Sequence, residues 1–463
     1  MGLRQKAAMW LLKQAFNLNT KALNGTSSIG GFAVYSPYST FSNIDRYITI
    51  DSLYSVVKFR ARTAGLIPFR VYKIKNQQKL KEYQYKTQME DFTTQGMVRK
   101  LLLKFQAMEE VDDNNELQKL LDNPNQTYSK YEFWEGVYTS LILSGNTYIL
   151  TGVPELGVNA GKVKEMYLMP PQYTAPVVEG NFPKYITGYQ LNMNGIANYK
   201  KEEVMHLRYF NPEFGANGSE LVGLSPLTAL HKTLERGKSE NDFMVSAFQN
   251  SGASGLVNFE ELDANDTRTS EALGKLKSEY YTNQSGVRNA QKNIFHAGKS
   301  SFTQIGLGPV DMKVIESQKI TFKQLCNALF VSDVLFNNGE ASTESNVKEM
   351  VKRMYTNACL PDAYSVRDML NARLTPMFNK GGATYYIDVD ITGISELQED
   401  MKAMAETFSA LPIMNPAWIT EAMGYGTEDK SLDKIYVKTG YTLLDDLSVN
   451  DLPSTPDYGN SGQ

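Results

Sequence analysis

Residues 116–150 read ELQKLLDNPNQTYSKYEFWEGVYTSLILSGNTYIL. The first six residues carry leucines at a helical spacing and predict a short helix over 116–121. That helix ends at Asn123-Pro-Asn125, because the residue before a proline is sterically kept out of helical geometry. The stretch therefore predicts a helix with a fixed end and a sharp change of chain direction after it.

The rest of the same stretch predicts a second helix that leads directly into a strand. Thr127 or Ser129 can cap this helix, since a hydroxyl accepts a hydrogen bond from a free N–H of the first turn. The helix then covers about 131–143. Gly145 ends it, and Tyr148–Thr151 is the first of several short β-rich strings.

Similar patterns on both sides predict an α+β protein. Upstream, Asp51–Ala64 has a helical spacing of apolar residues, and Pro68–Lys75 alternates as a half-buried strand does. Residues 76–100 are rich in Lys and Gln and look like an insertion or a long hairpin. Downstream, one small antiparallel sheet is predicted from Tyr148–Thr151, Glu165–Met169, Tyr173–Val178, Gly188–Met193 and Glu203–Arg208. Further helices are predicted from Ser225-Pro226 to about Gln249, within Val310–Phe330, over 345–377 with a kink at Pro361, over 395–411, and within Ile413–Gly426.

The composition is that of a globular chain with a sizeable core. Of 463 residues, 42% are hydrophobic and 21% are charged, which excludes disordered and fibrous classes. The formal net charge of −4 disfavours tight, general binding to nucleic acid, which needs many phosphate-neutralising cations. Two cysteines exclude a disulfide framework and fit a reducing compartment. No apolar run reaches 18 residues, so no membrane-spanning helix is expected.

Motifs of nucleotide hydrolysis, zinc binding and acyl transfer are missing from the sequence. A phosphate-binding loop requires a glycine five residues before its Gly-Lys-Ser string. Gly298-Lys-Ser300 has Asn293 at that position, and Gly237-Lys-Ser239 has Lys232. The three histidines lie in dissimilar segments, and no Cys-x-x-Cys, His-Glu-x-x-His or Gly-x-Ser-x-Gly string occurs. We expect no catalytic residue, metal site or cofactor.

Asp388 and Asp390 are the one acidic pair that could support catalysis. Residues i and i+2 of a strand share a face, so both carboxylates could hold a divalent cation for nuclease chemistry. The simpler interpretation is a pair of exposed acids at the end of a strand. A metal-dependent nuclease, or another packaging enzyme, therefore stays open as the alternative function.

The order of several short motifs resembles that of tailed-phage portal proteins. The motifs are Ala64-Gly-Leu-Ile-Pro-Phe-Arg-Val-Tyr72, Leu120-Leu-Asp-Asn-Pro-Asn125, Phe133, Leu141-Ile-Leu-Ser-Gly-Asn-Thr-Tyr148, Glu203-Val-Met-His-Leu-Arg208, Gly223-Leu-Ser-Pro-Leu227, Asn346, Leu360-Pro361, Tyr386-Ile-Asp-Val-Asp390, Glu399-Asp400, Ile413-Met-Asn-Pro416 and Met423-Gly424. No single motif is specific, but their order over about residues 50–430 is. Portal relatives usually carry Gly-Val-Pro where this chain has Phe330-Val-Ser-Asp333, and the block 76–100 is a second departure.

The resemblance implies a ring, expected to have twelve subunits, at one capsid vertex. Double-stranded DNA would pass through its channel, and the large terminase, the major capsid protein and a head-tail adaptor would bind it. The protein would then be found in the virion, and in the host cytoplasm during assembly. The implied regions are an N-terminal arm (1–45), a β-rich wing (46–225), a stem helix (226–251), a small α/β clip (252–308), a second stem helix (309–336), a tunnel loop (337–345), a long tunnel helix and strand (346–394), a helical crown (395–450) and a disordered tail (451–463).

Two sets of residues are candidates for the site that this resemblance implies. A channel in which DNA slides should carry few cations, because each one that neutralises a phosphate strengthens binding. The tunnel-loop candidates are acidic or small and polar: Asn337, Asn338, Glu340, Ser342, Thr343 and Glu344. The stem candidates, whose mixed charges could pair between subunits, are Lys232, Glu235, Arg236 and Lys238. A tail or adhesin protein is a third possibility, but it would be expected to show repeats or all-β spacing.

Overall fold

A computed structural model describes most of the chain between residues 40 and 397 and shorter pieces outside it. The described residues are 32–33, 40–88, 94–153, 162–181, 183–215, 218–250, 255–259, 300–304, 314–336, 343–379, 382–391, 393–397, 413–414, 436–437 and 442–443, with the single positions 271, 274, 275, 278 and 416. None of the helices within these ranges is long and apolar enough to cross a membrane.

Two of the described helices pack against each other in the core, and two others form a pair that extends from the core. Their bounds are α1 Thr40–Thr49, α2 Asp51–Gly65, α3 Gln77–Gln88, α4 Thr94–Ala107, α5 Glu116–Asp122, α6 Lys130–Ser144, α7 His231–Asn250, α8 Val314–Ala328, α9 Glu344–Met354, α10 Leu360–Arg373 and α11 Thr375–Phe378. One π-helical turn, Tyr355–Cys359, joins α9 to α10. Short 3-10 turns cover Ser219–Leu221, Pro226–Thr228, Asp333–Phe336 and Ser395–Leu397.

The strands form several small antiparallel sheets. Their bounds are β1 Phe32–Ala33, β2 Phe69–Ile74, β3 Met108–Glu110, β4 Asn146–Gly152, β5 Glu165–Met169, β6 Thr174–Glu179, β7 Tyr185–Asn192, β8 Ile196–Lys200, β9 Val204–Arg208, β10 Gly255–Phe259, β11 Ser300–Gln304, β12 Tyr385–Val389, β13 Ile413–Met414, β14 Tyr436–Val437 and β15 Thr442–Leu443. The sheet orders are β1-β6-β7-β8, β5-β4-β9, β12-β2-β3, β10-β11 and β13-β14-β15.

The core forms where α2 packs against α6. The predicted apolar face of α2 is buried, and so is nearly all of one side of α6, with Trp134 and Tyr138 among the largest buried side chains. Ser129, and not Thr127, caps α6: its hydroxyl accepts from the N–H of Glu132, whose side chain accepts from Ser129 in return. This capping box fixes where α6 begins.

The single sheet predicted between residues 148 and 208 is two sheets. β4 is the central strand of one sheet and pairs with β5 and β9, whereas β6 pairs with β1 and β7 in the other. Pairing on both sides of β4 leaves it no edge for a further strand, so β6 and β7 form their own ladder. The prediction that these strands are antiparallel is confirmed.

The block 76–100, predicted to be an insertion or a long hairpin, contains α3 and the first half of α4, which pack together as a helical hairpin. Leu80 and Tyr83 of α3 and Leu103 of α4 pack with Tyr72 and Tyr386 in a small core of their own. This hairpin lies next to the sheet in which β2 pairs with both β12 and β3.

The first stem helix begins later than its N-cap pattern predicts. The hydroxyl of Ser225 accepts a hydrogen bond from the N–H of Leu227, so Ser225-Pro226 opens a 3-10 turn, and α7 starts at His231. The second stem helix is α8, followed by the 3-10 turn at Asp333–Phe336. In the expected clip, β10 pairs with β11. Apart from the single positions 271, 274, 275 and 278, the other residues of the clip lie outside the described ranges.

The ends of the chain differ from the predicted regions where the structure describes them. Thr40–Thr49 is a helix, so the expected arm includes the first turns of an ordered element, and Phe32–Ala33 pair with β6. Ile413–Met414, just before Asn415-Pro416, is a strand, and the short helix expected within Ile413–Gly426 lies outside the described residues apart from position 416. The rest of the expected crown, apart from Ser395–Leu397 and two strands, lies outside the described residues, and so does the tail 451–463.

The end of α6 and the segment before α7 meet backbone to backbone. Gly145 has a φ of 77°, and a Cβ on Gly223 would lie 2.0 Å from the Gly145 carbonyl oxygen. The Asn146 side chain bridges the two segments, since its Oδ1 accepts from the Gly223 N–H at 2.7 Å and its Nδ2 donates to the Gly223 carbonyl at 3.3 Å. Two of the motifs that carry the resemblance, Leu141–Tyr148 and Gly223–Leu227, are therefore in direct contact with each other.

A histidine completes this junction. Oδ1 of Asn146 is an acceptor, so the His206 ring donates to it from Nε2 over 3.0 Å. Burial, with a smaller contribution from Arg208, lowers the pKa of His206 to about 3. The imidazole is therefore neutral at pH 7, and stacks on Tyr148 with ring centroids 4.3 Å apart.

The variant Gly223→Ala is expected to unfold with a free energy lower by about 3 kcal/mol, because its Cβ forces the two backbones apart. Urea denaturation measures this loss. Gly393→Ala is the matched control, since nothing lies within 4 Å of a Cβ there. Equal stability of the two variants would contradict the described junction.

Candidate assembly and channel site

The predicted stem helices pack side by side, anchored at one end in the core. Leu234 of α7 and Leu325, Cys326 and Leu329 at the end of α8 belong to the main hydrophobic core. A Cβ on Gly237 would lie 3.3 Å from Cγ2 of Thr321, so the absence of a side chain there lets the two helices approach closely. The pair is thus held to the main hydrophobic core by apolar packing at one end.

A buried carboxylate joins α7 to α8. Glu240 is 9% exposed and accepts hydrogen bonds from the hydroxyls of Ser317 and Thr321. Arg236 lies 3.6 Å from Glu240 and donates to Thr321 Oγ1 at 3.0 Å and to Gln324 Oε1 at 2.8 Å. Sequence reasoning missed Glu240, because one acid in a mixed-charge helix gives no signal of burial.

Two of the four stem candidates, Glu235 and Arg236, form side-chain contacts within their own chain. Arg236 binds α8, as just described, and Glu235 pairs with Arg46 of α1 at 3.5 Å and with His231 at 3.3 Å. Both residues therefore have partners within their own chain, and their pairing between subunits stays a prediction. Lys232 and Lys238 are exposed and form no ion pair within the described part of the chain.

The tunnel-loop candidates fall into two groups. Asn337, Asn338, Glu340 and Ser342 lie outside the described residues. Thr343 is the N-cap of α9 and accepts from the N–H of Asn346 at 3.4 Å, and Glu344 is the first residue of that helix. The predicted loop boundary at 345 is therefore wrong by two residues, because a threonine followed by an acidic residue begins a helix well.

Most of the charges on the outer face of α9 are paired along the helix. Glu344 lies 2.8 Å from Lys348, and Glu349 lies 3.1 Å from Arg353. In both pairs the acid precedes the base by four residues, which is the favourable order. The hydrogen bond from Lys348 lowers the pKa of Glu344, so that side chain stays ionised at pH 7. The start of α9 thus carries paired charges, and of the two acids expected in the tunnel loop, Glu340 lies outside the described residues.

A buried ion pair holds the C-terminal end of α8 next to α2 and α10. Arg60 of α2 and Asp362 of α10 lie 2.7 Å apart, and both side chains are more than nine-tenths buried. Tyr209 donates to Asp362 Oδ1 at 2.9 Å, and Arg60 Nη1 donates to the Leu329 carbonyl at 3.0 Å. No sequence pattern marks these residues, which are separated by up to 302 positions.

Asp388 is the centre of a second buried cluster and is not half of a metal site. It is 1% exposed, lies 3.3 Å from Lys104 and 3.6 Å from Arg367, and accepts from the Tyr83 hydroxyl at 2.6 Å. Asp390 lies beyond the end of β12, 4.0 Å from Arg70. Within the described residues, no group of three His, Cys, Asp or Glu could hold a metal ion.

The electrostatics of this cluster suit a structural role. Burial alone would raise the pKa of Asp388, but Lys104, Arg367 and the Tyr83 hydroxyl together lower it below its usual value. The carboxylate is ionised and its oxygens are engaged by side chains that hold the α3–α4 hairpin and α10 to β12. The nuclease hypothesis fails here because its central residue is enclosed by cations of the chain itself.

Comparison with solved structures shows that the fold is shared with chains from the necks of gene transfer agent particles. A chain from the neck of an empty gene transfer agent (GTA) particle, computed with C6 symmetry, superposes with a TM-score of 0.60 at 18% identity, covering 86% of this chain and 97% of that one. A chain from the neck of a native GTA particle, computed with C12 symmetry, gives 0.58 at 18%, covering 88% and 99%.

Sequence comparison gives the family. The chain belongs to the phage portal protein family, whose sequence model matches residues 52–421. Proteins of this family are structural channel proteins and not enzymes. A Rickettsia bellii protein described as uncharacterized is 24% identical over 360 residues, which are 77% of this chain and 81% of that protein. The family that the order of the motifs predicts is therefore confirmed.

Asp388→Asn is expected to lower the free energy of unfolding by about 3 kcal/mol near pH 7, since it leaves buried cations without their partner. A carboxyl whose folded pKa is depressed stabilises the fold above its unfolded pKa of about 3.9 and loses that effect as pH falls through the folded value. The difference between wild type and variant should therefore shrink below about pH 4.

Urea denaturation between pH 3 and pH 7 measures that difference. Asp390→Asn serves as the control, because Asp390 is nearer the surface and lies at the limit of ion-pair distance from Arg70. A gap between wild type and Asp388→Asn that stays constant down to pH 3 would show that the Asp388 charge does not stabilise the fold.

Proposed function

We propose that this chain forms a ring at one vertex of a phage-type capsid and that double-stranded DNA enters and leaves through the ring's channel. The observation that carries the proposal is the family match over residues 52–421, because a DNA-packaging channel is the general role of that family. The fold supports it, since the superposed GTA neck chains are covered almost completely.

Twelve subunits are the proposed number, and the virion is the proposed location. The support is the C12 symmetry of the native GTA neck and the C6 symmetry, which is contained in it, of the empty one. The large terminase, the major capsid protein and a head-tail adaptor are the proposed partners, and the host cytoplasm is the proposed site of assembly. The terminase would dock on the clip, which includes the antiparallel strand pair β10 and β11.

The proposed channel wall consists of α7, α8 and the start of α9. The paired charges of α9 suit this position: Glu344 and Glu349 pair with Lys348 and Arg353 within one helix, which leaves Lys352 as the cation of α9 without an ion pair in the described part of the chain. Lys232 and Lys238 of α7 are further cations of this wall without an ion pair there. In a ring of twelve, each unpaired cation would be repeated twelve times. Pairing of cations within the subunit therefore favours movement of DNA through the channel over tight binding.

Negative-stain microscopy of the purified full-length chain tests the ring directly. Uniform rings with a central hole are expected. Monomers that persist across a wide range of protein and salt concentrations would overturn the proposed function. Metal-dependent DNA cleavage by the same preparation would instead support an enzyme.

Glu344→Lys is expected to make the ring bind duplex DNA more tightly and with a steeper dependence on salt. The variant adds one cation per subunit and also frees Lys348, and each phosphate contact adds about 0.9 to the slope of log K against log salt. Fluorescence anisotropy of a labelled duplex across a salt series measures both effects.

Glu82→Lys is the matched control, because Glu82 is also an exposed helical acid paired with a lysine, Lys79 at 2.9 Å, but lies in the α3–α4 hairpin. Equal gains in affinity for Glu344→Lys and Glu82→Lys would mean that the start of α9 has no special access to DNA.

A further inference from the structure

Phe330, directly after α8, has a backbone conformation that side chains rarely adopt. Its φ is 56°, and among the described residues it is the one non-glycine with positive φ. In this left-handed region the Cβ of an L-residue approaches the following carbonyl, which costs free energy and makes glycine the usual occupant.

The surrounding turn requires that conformation. The N–H of Val331 donates to the Cys326 carbonyl at 3.0 Å, and the N–H of Phe330 donates to the Asn327 carbonyl at 3.2 Å. These are the two hydrogen bonds of a Schellman motif, with Phe330 at its left-handed position. Cys326 and Val331, whose apolar contact normally accompanies the motif, are both buried. Glycine would fit the same turn without strain.

The Phe330 side chain gains little within its own chain to offset the strain. It is 62% exposed, whereas Leu329 is 0% and Val331 is 2% exposed. The buried neighbours anchor the turn, and the aromatic ring is directed away from the core between them. An exposed aromatic residue held at a strained position is unfavourable in the isolated subunit.

Phe330 lies at the end of an exposed face of α8. The face consists of Ile320, Lys323 and Asn327, which are exposed and follow the helical repeat beside the row of Thr321 and Gln324 that contacts α7. Lys323 lies 3.8 Å from Asp333, in the turn that follows Phe330. Ile320 is itself 54% exposed. Two large apolar side chains thus border one continuous face of the second stem helix.

We propose that this face, with Phe330 at its end, packs against a second copy of the chain in the ring. The proposal rests on the proposed function, which puts α8 in a ring where one face of each subunit meets a different face of its neighbour. Duplex DNA is a poorer occupant, because it presents phosphates and hides the base faces on which an aromatic ring stacks. Burial between subunits would compensate for both the exposure and the strain.

Phe330→Gly distinguishes backbone strain in the subunit from the contact between subunits, because it is expected to raise the stability of the subunit and to weaken assembly of the ring. The variant relieves the left-handed strain, so the dissociated subunit should unfold at a higher urea concentration than wild type. It also removes the buried ring from the interface, so half-assembly should require at least about a tenfold higher protein concentration. Sedimentation velocity over a dilution series measures assembly, and urea denaturation of dilute subunits measures stability.

Phe330→Leu is the matched variant, since it keeps the strain and most of the apolar contact. It should show no gain in subunit stability and a smaller loss of assembly than Phe330→Gly. Should the glycine variant prove insoluble, Phe330→Asn replaces it, because asparagine tolerates the same conformation.

Rings of Phe330→Gly that assemble as well as wild type would overturn the inference while the proposed function stands. A glycine variant less stable than wild type as a dissociated subunit would also overturn it, because the strain would then be absent. Failure of wild type itself to form rings would refute the proposed function, and this inference with it.

Discussion

The rest of the described fold depends on the contact between the Gly145 and Gly223 backbones. No side chain fits between these segments, and Asn146 replaces the missing side-chain contact with hydrogen bonds to both polar groups of Gly223. This contact determines where α6 ends, where β4 begins, and where the chain turns towards α7. The position from which the α7–α8 pair extends from the core therefore depends on this backbone contact as well as on side-chain packing.

Two buried ionic clusters join further elements to the core. Arg60 and Asp362 hold the end of α8 and the start of α10, whereas Asp388 holds the α3–α4 hairpin to β12. Burying charges is costly unless they are paired and hydrogen-bonded, and removing either partner leaves the other without compensation. Such clusters keep the elements that they join in fixed positions relative to one another.

Sequence reasoning predicted the elements that local physics decides. The apolar face of α2, the cap and glycine end of α6, and the alternation of β2 all follow from spacing and capping rules. It could not predict long-range choices, such as the division of the strands into two sheets or the partners of Glu235 and Arg236. The acid pair at Asp388 and Asp390 shows the limit most clearly, since the cation that encloses Asp388 lies on α4, 284 positions away, in a block that looked like an insertion.

In the proposed ring, α7, α8 and the start of α9 form the wall of a DNA channel. A cryo-EM reconstruction of the assembled full-length protein at a resolution that shows helices tests it most directly. The account predicts an axial channel wide enough for duplex DNA, with the α7–α8 pair and Glu344 next to it and the α3–α4 hairpin away from it. A ring with the hairpin lining the channel, or an assembly with no axial opening, would contradict the account.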